Sequence, residues 1–335
     1  MTFARNNDRP DVFSDIVGDS PALRHSIGLA RRLAHTSSTV LLTGETGVGK
    51  ELFAKALHTL REKADSPFVA VNCGALMASL AESEMFGYEK GAFSGADPRG
   101  KPGKIELARG GTLFLDEIGE LSADSQAMLL RVLEDREYFA VGGTRPITAD
   151  CRFIAATNRD LASQVEAGRF REDLYYRLSV IALDIPPLRE RTEDIPLLAE
   201  TFLRRFGNEE TISPEMTDIL MRYYWPGNVR ELRNAIERLH VLSSGGGLQP
   251  EHLPAALLRA PGLRELPNAS SSETRMPLPR EGTLTEWLAD CERRFIEAAL
   301  EETKDNKLAA AQRLGISRMT LYNKLGIRAS RGTRH

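Results

Sequence analysis

Cysteine is scarce in this chain. Cys73, Cys151 and Cys291 stand far apart and offer neither a disulfide framework nor a CxxC metal pair, so they read as reduced, buried thiols. No apolar run approaches the roughly 20 residues that a membrane-spanning helix needs. The first residues, MTFARNNDRPDVFSD, contain no apolar core of the kind a signal peptide carries. These absences lead us to expect a cytoplasmic chain without membrane insertion. No repeat recurs at solenoid spacing. A further absence is local: from Asn306 to His335 there is no Asp or Glu, while Lys307, Arg313, Arg318, Lys324, Arg328, Arg331 and Arg334 are all basic. The whole chain carries a formal net charge of -3, so a basic end is attached to an acidic body. That asymmetry points to a polyanionic partner for the end.

The remaining composition is ordinary for a folded protein, with 41% hydrophobic and 27% charged residues over 335 positions, enough for two or three domains. Residues 1–12 read as a disordered arm. From about 13 to 186, apolar runs alternate with helical patterns: Thr39–Leu42, Phe68–Val71, Thr112–Leu115, Phe153–Ala156 and Val180–Leu183. Near-continuous apolar strands separated by helices predict an α/β domain whose parallel sheet is covered on both faces. Pro186-Pro187 ends the pattern, and residues 187–258 are helical in periodicity throughout. Residues 259–283, with Pro261, Pro267, Pro277, Pro279 and Ser270-Ser271-Ser272, read as a linker. Residues 284–335 form a last helical unit.

Gly44-Glu45-Thr46-Gly47-Val48-Gly49-Lys50 follows the first strand and precedes a helix predicted over Glu51–Leu60. Strand, glycine-rich loop and helix in that order make a phosphate-binding loop. The glycines let backbone N–H groups close around a phosphate, the helix N-terminus favours negative charge, and Lys50 reaches the terminal phosphates. A Gly-rich turn that only caps a helix is the plainer reading, and the context makes it improbable. Glu51 stands where such loops usually place a magnesium-binding Ser or Thr. Gly111–Glu117 is an apolar strand ending in two carboxylates; Asp116 suits a magnesium ion and Glu117 suits polarising a water for attack on a γ-phosphate. ATP and magnesium are therefore the expected cofactors, with hydrolysis rather than mere binding. Thr157-Asn158, at the tip of the next strand, would face the same phosphate, though the pair is also a common turn.

Together these motifs resemble the bacterial enhancer-binding proteins, the AAA+ activators of sigma-54 RNA polymerase, closely over about residues 13–258 and more loosely over 284–327. The most specific match is Glu84–Ala96, which contains Gly91-Ala92-Phe93-Ser94-Gly95-Ala96 and is similar to the family's GAFTGA loop. Ser94 stands in place of the usual Thr and keeps the hydroxyl. The resemblance implies that this loop projects from an ATPase ring and touches sigma-54 through Phe93. It also implies that Asn72 is a switch residue paired with Glu117. By the same resemblance Arg171 and Arg177, in Phe170–Leu178, are arginine fingers reaching a neighbouring subunit's ATP. Pro187-Leu188-Arg189-Glu190-Arg191 matches the crossing into a helical lid. Arg230, in Trp225–Leu232, resembles the lid arginine that senses the γ-phosphate in cis.

Asn306–Ile327 reads as a short helix over Leu308–Leu314, Gly315, a turn and a second helix capped by Ser317. A glycine between two short amphipathic helices is the helix-turn-helix pattern. Ala309, Ala310, Leu314, Ile316, Leu321 and Leu325 would form its core. Ser317, Arg318, Met319, Thr320, Tyr322, Asn323 and Lys324 are left for DNA. A generic helical hairpin is the alternative, and the basic residues favour DNA. The family ends in a Fis-type unit of this kind, with a dimerising helix that would here be about Leu284–Thr303.

The resulting expectation is a sigma-54-dependent activator. A dimeric tail binds upstream enhancer DNA, AAA+ domains assemble as a ring, a hexamer by resemblance, and hydrolysis moves the Phe93 loop to remodel the closed polymerase–promoter complex. The alternative is a DNA-binding repressor or regulator in which ATP only switches oligomeric state. A protein unfoldase or clamp loader would lack the helix-turn-helix and the Phe93 motif. Only about twelve residues precede the ATPase region, so a negative regulator acting in trans is a further expectation.

Overall fold

The computed structural model describes residues 12–61, 65–75, 78–92, 97, 99–243 and 247–258, and then residues 296, 300, 303, 307 and 321. Nearly all of the expected N-terminal arm, the linker, Phe93–Ala96 and the DNA-facing residues Ser317–Thr320 and Tyr322–Lys324 lie outside the described residues. The chain divides into two compact units, Met1–Glu265 and Leu266–His335. In the second unit Ile296 and Leu321 are helical and buried.

The first unit is built on strands β1 (Val40–Thr43), β2 (Phe68–Asn72), β3 (Gly87–Tyr88), β4 (Lys101–Pro102), β5 (Thr112–Asp116), β6 (Glu137–Tyr138), β7 (Ile147–Thr148), β8 (Arg152–Thr157) and β9 (Ile181–Asp184). Five of them make a parallel sheet in the order β2-β5-β8-β1-β9. These are the five apolar runs of the sequence, with no end moved by more than one residue. Every residue of β8 is buried, as a strand covered on both faces requires. Helices α1 (Pro21–Leu33) and α2 (Lys50–Arg61) cover one face, packing Leu23, Phe53 and Leu57 against Phe114 and Ile154. α3 (Ala78–Phe86) and α4 (Lys104–Leu107) flank the β3–β4 ribbon. On the other face, α5 (Ala123–Asp135), α6 (Leu161–Glu166) and α7 (Glu172–Leu178) set Leu129, Leu161 and Leu174 against Leu113, Leu115 and Phe153.

After Pro187 the described chain is helical: α8 (Ile195–Arg205), α9 (Pro214–Arg222), α10 (Asn228–Leu242) and α11 (Ala255–Leu258). They enclose their own core around Trp225, whose ring is fully buried and whose Nε1 donates to the Leu220 carbonyl at 2.8 Å.

A buried carboxylate ties this helical part to the start of the α/β part. Asp194, 1% exposed, accepts from the Asp19 amide at 2.7 Å, the Ser20 amide at 2.8 Å and the Ser20 hydroxyl at 2.7 Å. Ser20 in turn caps α1 by accepting from the Leu23 amide. Removing one partner of a buried polar network leaves the others desolvated and unbonded. Asp194→Ala is therefore expected to destabilise the fold by about 3 kcal/mol, seen as a lower guanidinium midpoint. An unchanged midpoint would show that water replaces the carboxylate freely.

Candidate active site

Parallel strands in register carry their C-terminal ends to one edge of the sheet, where ligands of such sheets bind. The pairings Asn72↔Asp116 and Thr43↔Thr157 align four of those ends. The loop 44–49 leaves β1 and runs directly into α2, so its glycines and Lys50 stand at that edge. Gly44, Gly47 and Gly49 have φ of +143°, +83° and +109°, backbone that side-chain-bearing residues rarely adopt. At Gly47 a Cβ would also lie 2.3 Å from the Gly227 carbonyl oxygen, so only glycine fits.

Lys50 bends back over the loop: its Nζ donates to the carbonyls of Gly44 at 2.8 Å and Glu45 at 3.0 Å. Burial lowers its pKa, and the charge of Asp116 works the other way. Asp116, Arg230 and Glu117 are thus close enough for their charges to act on Lys50. Asp116 accepts from the Glu117 amide at 3.0 Å. Burial raises the Asp116 pKa, and neither that hydrogen bond nor Lys50 offsets it fully. Glu117 sits in left-handed backbone, φ 55° and ψ 44°, unusual for a side-chain-bearing residue and typical of functional turns.

A carboxyl whose pKa is raised on folding holds its proton more tightly in the folded state. Below its unfolded pKa both states are protonated and nothing is lost; above the folded pKa the ionised group opposes folding. Asp116→Asn is therefore expected to raise the melting temperature of the nucleotide-free protein near pH 7, with the gain fading as the pH falls toward about 4. Melting curves across that range check this; a gain that does not change with pH would mean a packing effect instead.

The other sequence-predicted residues are distributed around this centre. Asn158 does reach the loop, donating from Nδ2 to the Thr46 hydroxyl at 2.9 Å, whereas the Thr157 hydroxyl accepts from the Arg159 amide at 3.0 Å. Asn72 uses its Oδ1 to accept from the Ala75 amide at 2.9 Å. Asn72 and Glu117 flank one residue: a Cβ on Gly74 would lie 2.7 Å from Glu117 Oε2 and 3.3 Å from Asn72 Oδ1. Glu51 turns outward and pairs with Lys55 at 2.8 Å. Arg171 precedes α7 and pairs with Asp173 through two contacts, at 2.7 and 3.0 Å. Arg177, in the last turn of α7, donates to the Leu133 carbonyl at 2.8 and 3.2 Å. Gly91 has a φ of +79° and open space around it, and the Ala92 amide donates to the Glu89 carbonyl at 3.1 Å. The base of that loop is laced to the segment after β6 by Glu89 N to Val141 O at 3.0 Å and Val141 N to Gly87 O at 2.9 Å.

Cys73 is buried at the tip of β2, while Cys151 is only half-buried; burial pushes both thiols up to about 12, so neither is a nucleophile. Cys291 lies outside the described residues. No cluster of His, Cys, Asp and Glu suited to a metal occurs among the described residues.

Three residues with direct contacts to the loop escaped the sequence reading. Arg189 grips the Glu45 carboxylate through both Nη atoms, at 2.7 and 2.6 Å, and that guanidinium lowers the Glu45 pKa. Asn228 donates to Glu45 at 3.0 Å and to the Thr46 carbonyl at 3.1 Å. Arg191, 2% exposed, donates to the Val48 carbonyl at 3.0 Å. Arg189 and Arg191 lie in a motif visible in the sequence, but their partners are more than 140 residues away.

The chain resembles known proteins along most of its length. The Sigma-54 interaction domain family matches residues 16–184, an AAA+ ATPase lid domain matches 189–269, and the bacterial regulatory protein Fis family matches 288–326. The chain is 48% identical over 315 residues to the transcriptional regulatory protein ZraR of Salmonella typhimurium, covering 92% of this chain and 68% of that one. It is 47% identical over 306 residues to the Nif-specific regulatory protein of Azotobacter vinelandii, covering 90% of this chain and 56% of the relative. The crystal structure of NtrX from Brucella abortus in complex with ATP is similar at a TM-score of 0.67 and 32% identity, over 96% of this chain and 71% of that one.

Proposed function

The chain belongs to the sigma-54-dependent transcriptional regulators, ATPases joined to a Fis-type DNA-binding domain, and from that premise we propose how its residues divide the work. ATP lies with its phosphates on residues 44–51, and Lys50 exchanges its two loop carbonyls for the terminal phosphates. Asp116 would hold magnesium: a half-buried carboxyl whose pKa burial raises is the group that a divalent cation would keep ionised. The ion would supply neutralisation of phosphate charge. Glu117 orients the attacking water, and Asn72, across Gly74 from it, registers its position. Arg230 meets the γ-phosphate in cis.

Arg171 and Arg177 serve the neighbouring subunit's site in a ring, a hexamer by resemblance. Arg171 is held by an exposed ion pair to Asp173, which a new partner can replace at little cost, and Arg177 would exchange the half-buried Leu133 carbonyl for a phosphate. The Gly91–Ala96 segment carries the output to sigma-54 through Phe93. The tail binds upstream DNA as a dimer through Ser317, Arg318, Met319, Thr320, Tyr322, Asn323 and Lys324. We keep the domain limits at 13–186, 187–258, 259–283 and 284–335; the break between compact units after Glu265 falls inside the third. We place the protein in the cytoplasm, where polymerase and promoter are; no described helix is long and apolar enough to cross a membrane.

The observation that carries this reading is the placing of Lys50, Asp116 and Glu117 at one sheet edge, coupled electrostatically. Its test is open-complex formation by sigma-54 polymerase on a promoter with an upstream site, with and without ATP, beside the hydrolysis rate. Open complexes that need hydrolysable ATP support it. Hydrolysis that opens nothing would make the chain a DNA-binding regulator whose oligomeric state ATP switches.

A further inference from the structure

A phosphate loop binds through its amides, and in a planar trans peptide each N–H points opposite to the carbonyl of the preceding residue. What holds the carbonyls therefore aims the amides. Lys50 takes the first two carbonyls of the loop, and the Leu52 and Phe53 amides of α2 take that of Gly49, at 3.0 and 3.3 Å. The three central carbonyls are held from the lid. Thr46 O accepts from Asn228 Nδ2 at 3.1 Å, Gly47 O from the Arg230 amide at 3.3 Å, and Val48 O from Arg191 Nη2 at 3.0 Å.

The lid residues that do this are themselves fixed. Asn228 is fully buried, its Oδ1 accepts from the Leu188 amide at 2.8 Å, and its φ of +53° suits few residues besides Asn and Gly. Arg191 is 2% exposed, lies beside Asp194, and has no partner for its Nε among the described residues. A buried arginine is costly unless it is paired and hydrogen-bonded. Its Nη2 hydrogen bond to the loop and the nearby charge of Asp194 supply that compensation. The Gly227 backbone, 2.3 Å from where a Gly47 Cβ would stand, completes the contact.

We infer that Arg191 and Asn228 are positioning residues for phosphate binding: the lid forms the outer half of the phosphate nest and orients the amides of Gly47, Val48 and Gly49 from behind. A lid that moves away would release three carbonyls together, and the amides would lose their common aim. This rests on residues 44–50 being the phosphate site. The lid's part is then structural support of the β-phosphate, separate from any charge that Arg230 brings to the γ-phosphate.

The test compares ADP with AMP by calorimetry on the full chain, because the nest acts on the β-phosphate that AMP lacks. Arg191→Met is expected to reduce the preference for ADP over AMP about tenfold, Arg191→Lys, which keeps one donor and the charge beside Asp194, to restore most of it, and Asn228→Gly, which suits the positive φ, to reduce it likewise. If the variants weaken ADP and AMP by the same factor, or neither, the two residues only support the fold and the inference fails. Should Arg191→Met not fold, Asn228→Gly decides by the same ratio. A wild type without any preference for ADP would instead sink the assignment of residues 44–50.

Discussion

Glu117→Gln is expected to lower ATP turnover about a thousandfold while ADP and ATP bind within about threefold of the wild type. The amide is isosteric, so the left-handed turn and the neighbouring Asp116 keep their places. What disappears is the negative oxygen that draws a proton from the attacking water. Binding would survive because, in the proposed site, the phosphates rest on the loop and Lys50, not on Glu117. Single-turnover hydrolysis beside equilibrium nucleotide binding separates the two. A variant that loses binding and turnover together would move Glu117 from the chemistry to the cation site. One that keeps turnover would pass the role of base to Asp116 or to a residue outside the described set.

The second large effect falls at the other end of the machine. Phe93→Ala is expected to leave ATP hydrolysis within about twofold and to reduce open-complex formation more than a hundredfold. The reason is a separation of site and output. Phe93 lies in a glycine-flanked segment that follows the β3 strand, and the proposed phosphate site lies at the ends of different strands. An aromatic side chain supplies a large apolar contact at small entropic loss, so its truncation removes most of what a short loop can offer a partner. Open complexes surviving at wild-type level would show that the segment is not the contact with sigma-54. A parallel loss of hydrolysis would show that the segment feeds back on the nucleotide site.

How much of this was legible beforehand depends on the length scale of each signal. The five apolar runs became the five strands of the central sheet because a strand covered on both faces has to be apolar along its whole length, and that pattern is local. The loop 44–50 was equally legible, since three closely spaced glycines and a lysine between a strand and a helix are a local pattern, even though the residues that crowd and hold the loop come from far along the chain. The carboxylates Asp116 and Glu117 were legible because a strand tip beside such a loop has few other uses for two acids. The contacts of Arg189, Arg191, Asp194 and Asn228 were not. Each of these residues is polar on a helical domain and reads as surface until the fold brings a distant carboxylate, carbonyl or amide against it. Arg191 and Asp194 are buried ions whose environment comes from the start of the chain, and no periodicity announces that. The same reason hides what Arg171 and Arg177 do: within one subunit they hold Asp173 and the Leu133 carbonyl, and their proposed targets lie on another copy.

Lys50, held over the loop by the carbonyls of Gly44 and Glu45, also bears on what such a loop selects. A long, flexible side chain that is already placed loses little rotamer freedom when it gains a new acceptor. A hydrogen bond from an ammonium to an anionic oxygen is stronger than one to a neutral carbonyl. The side chain therefore discriminates by charge rather than by shape: an anion outcompetes the two carbonyls, and a neutral occupant of the same size does not.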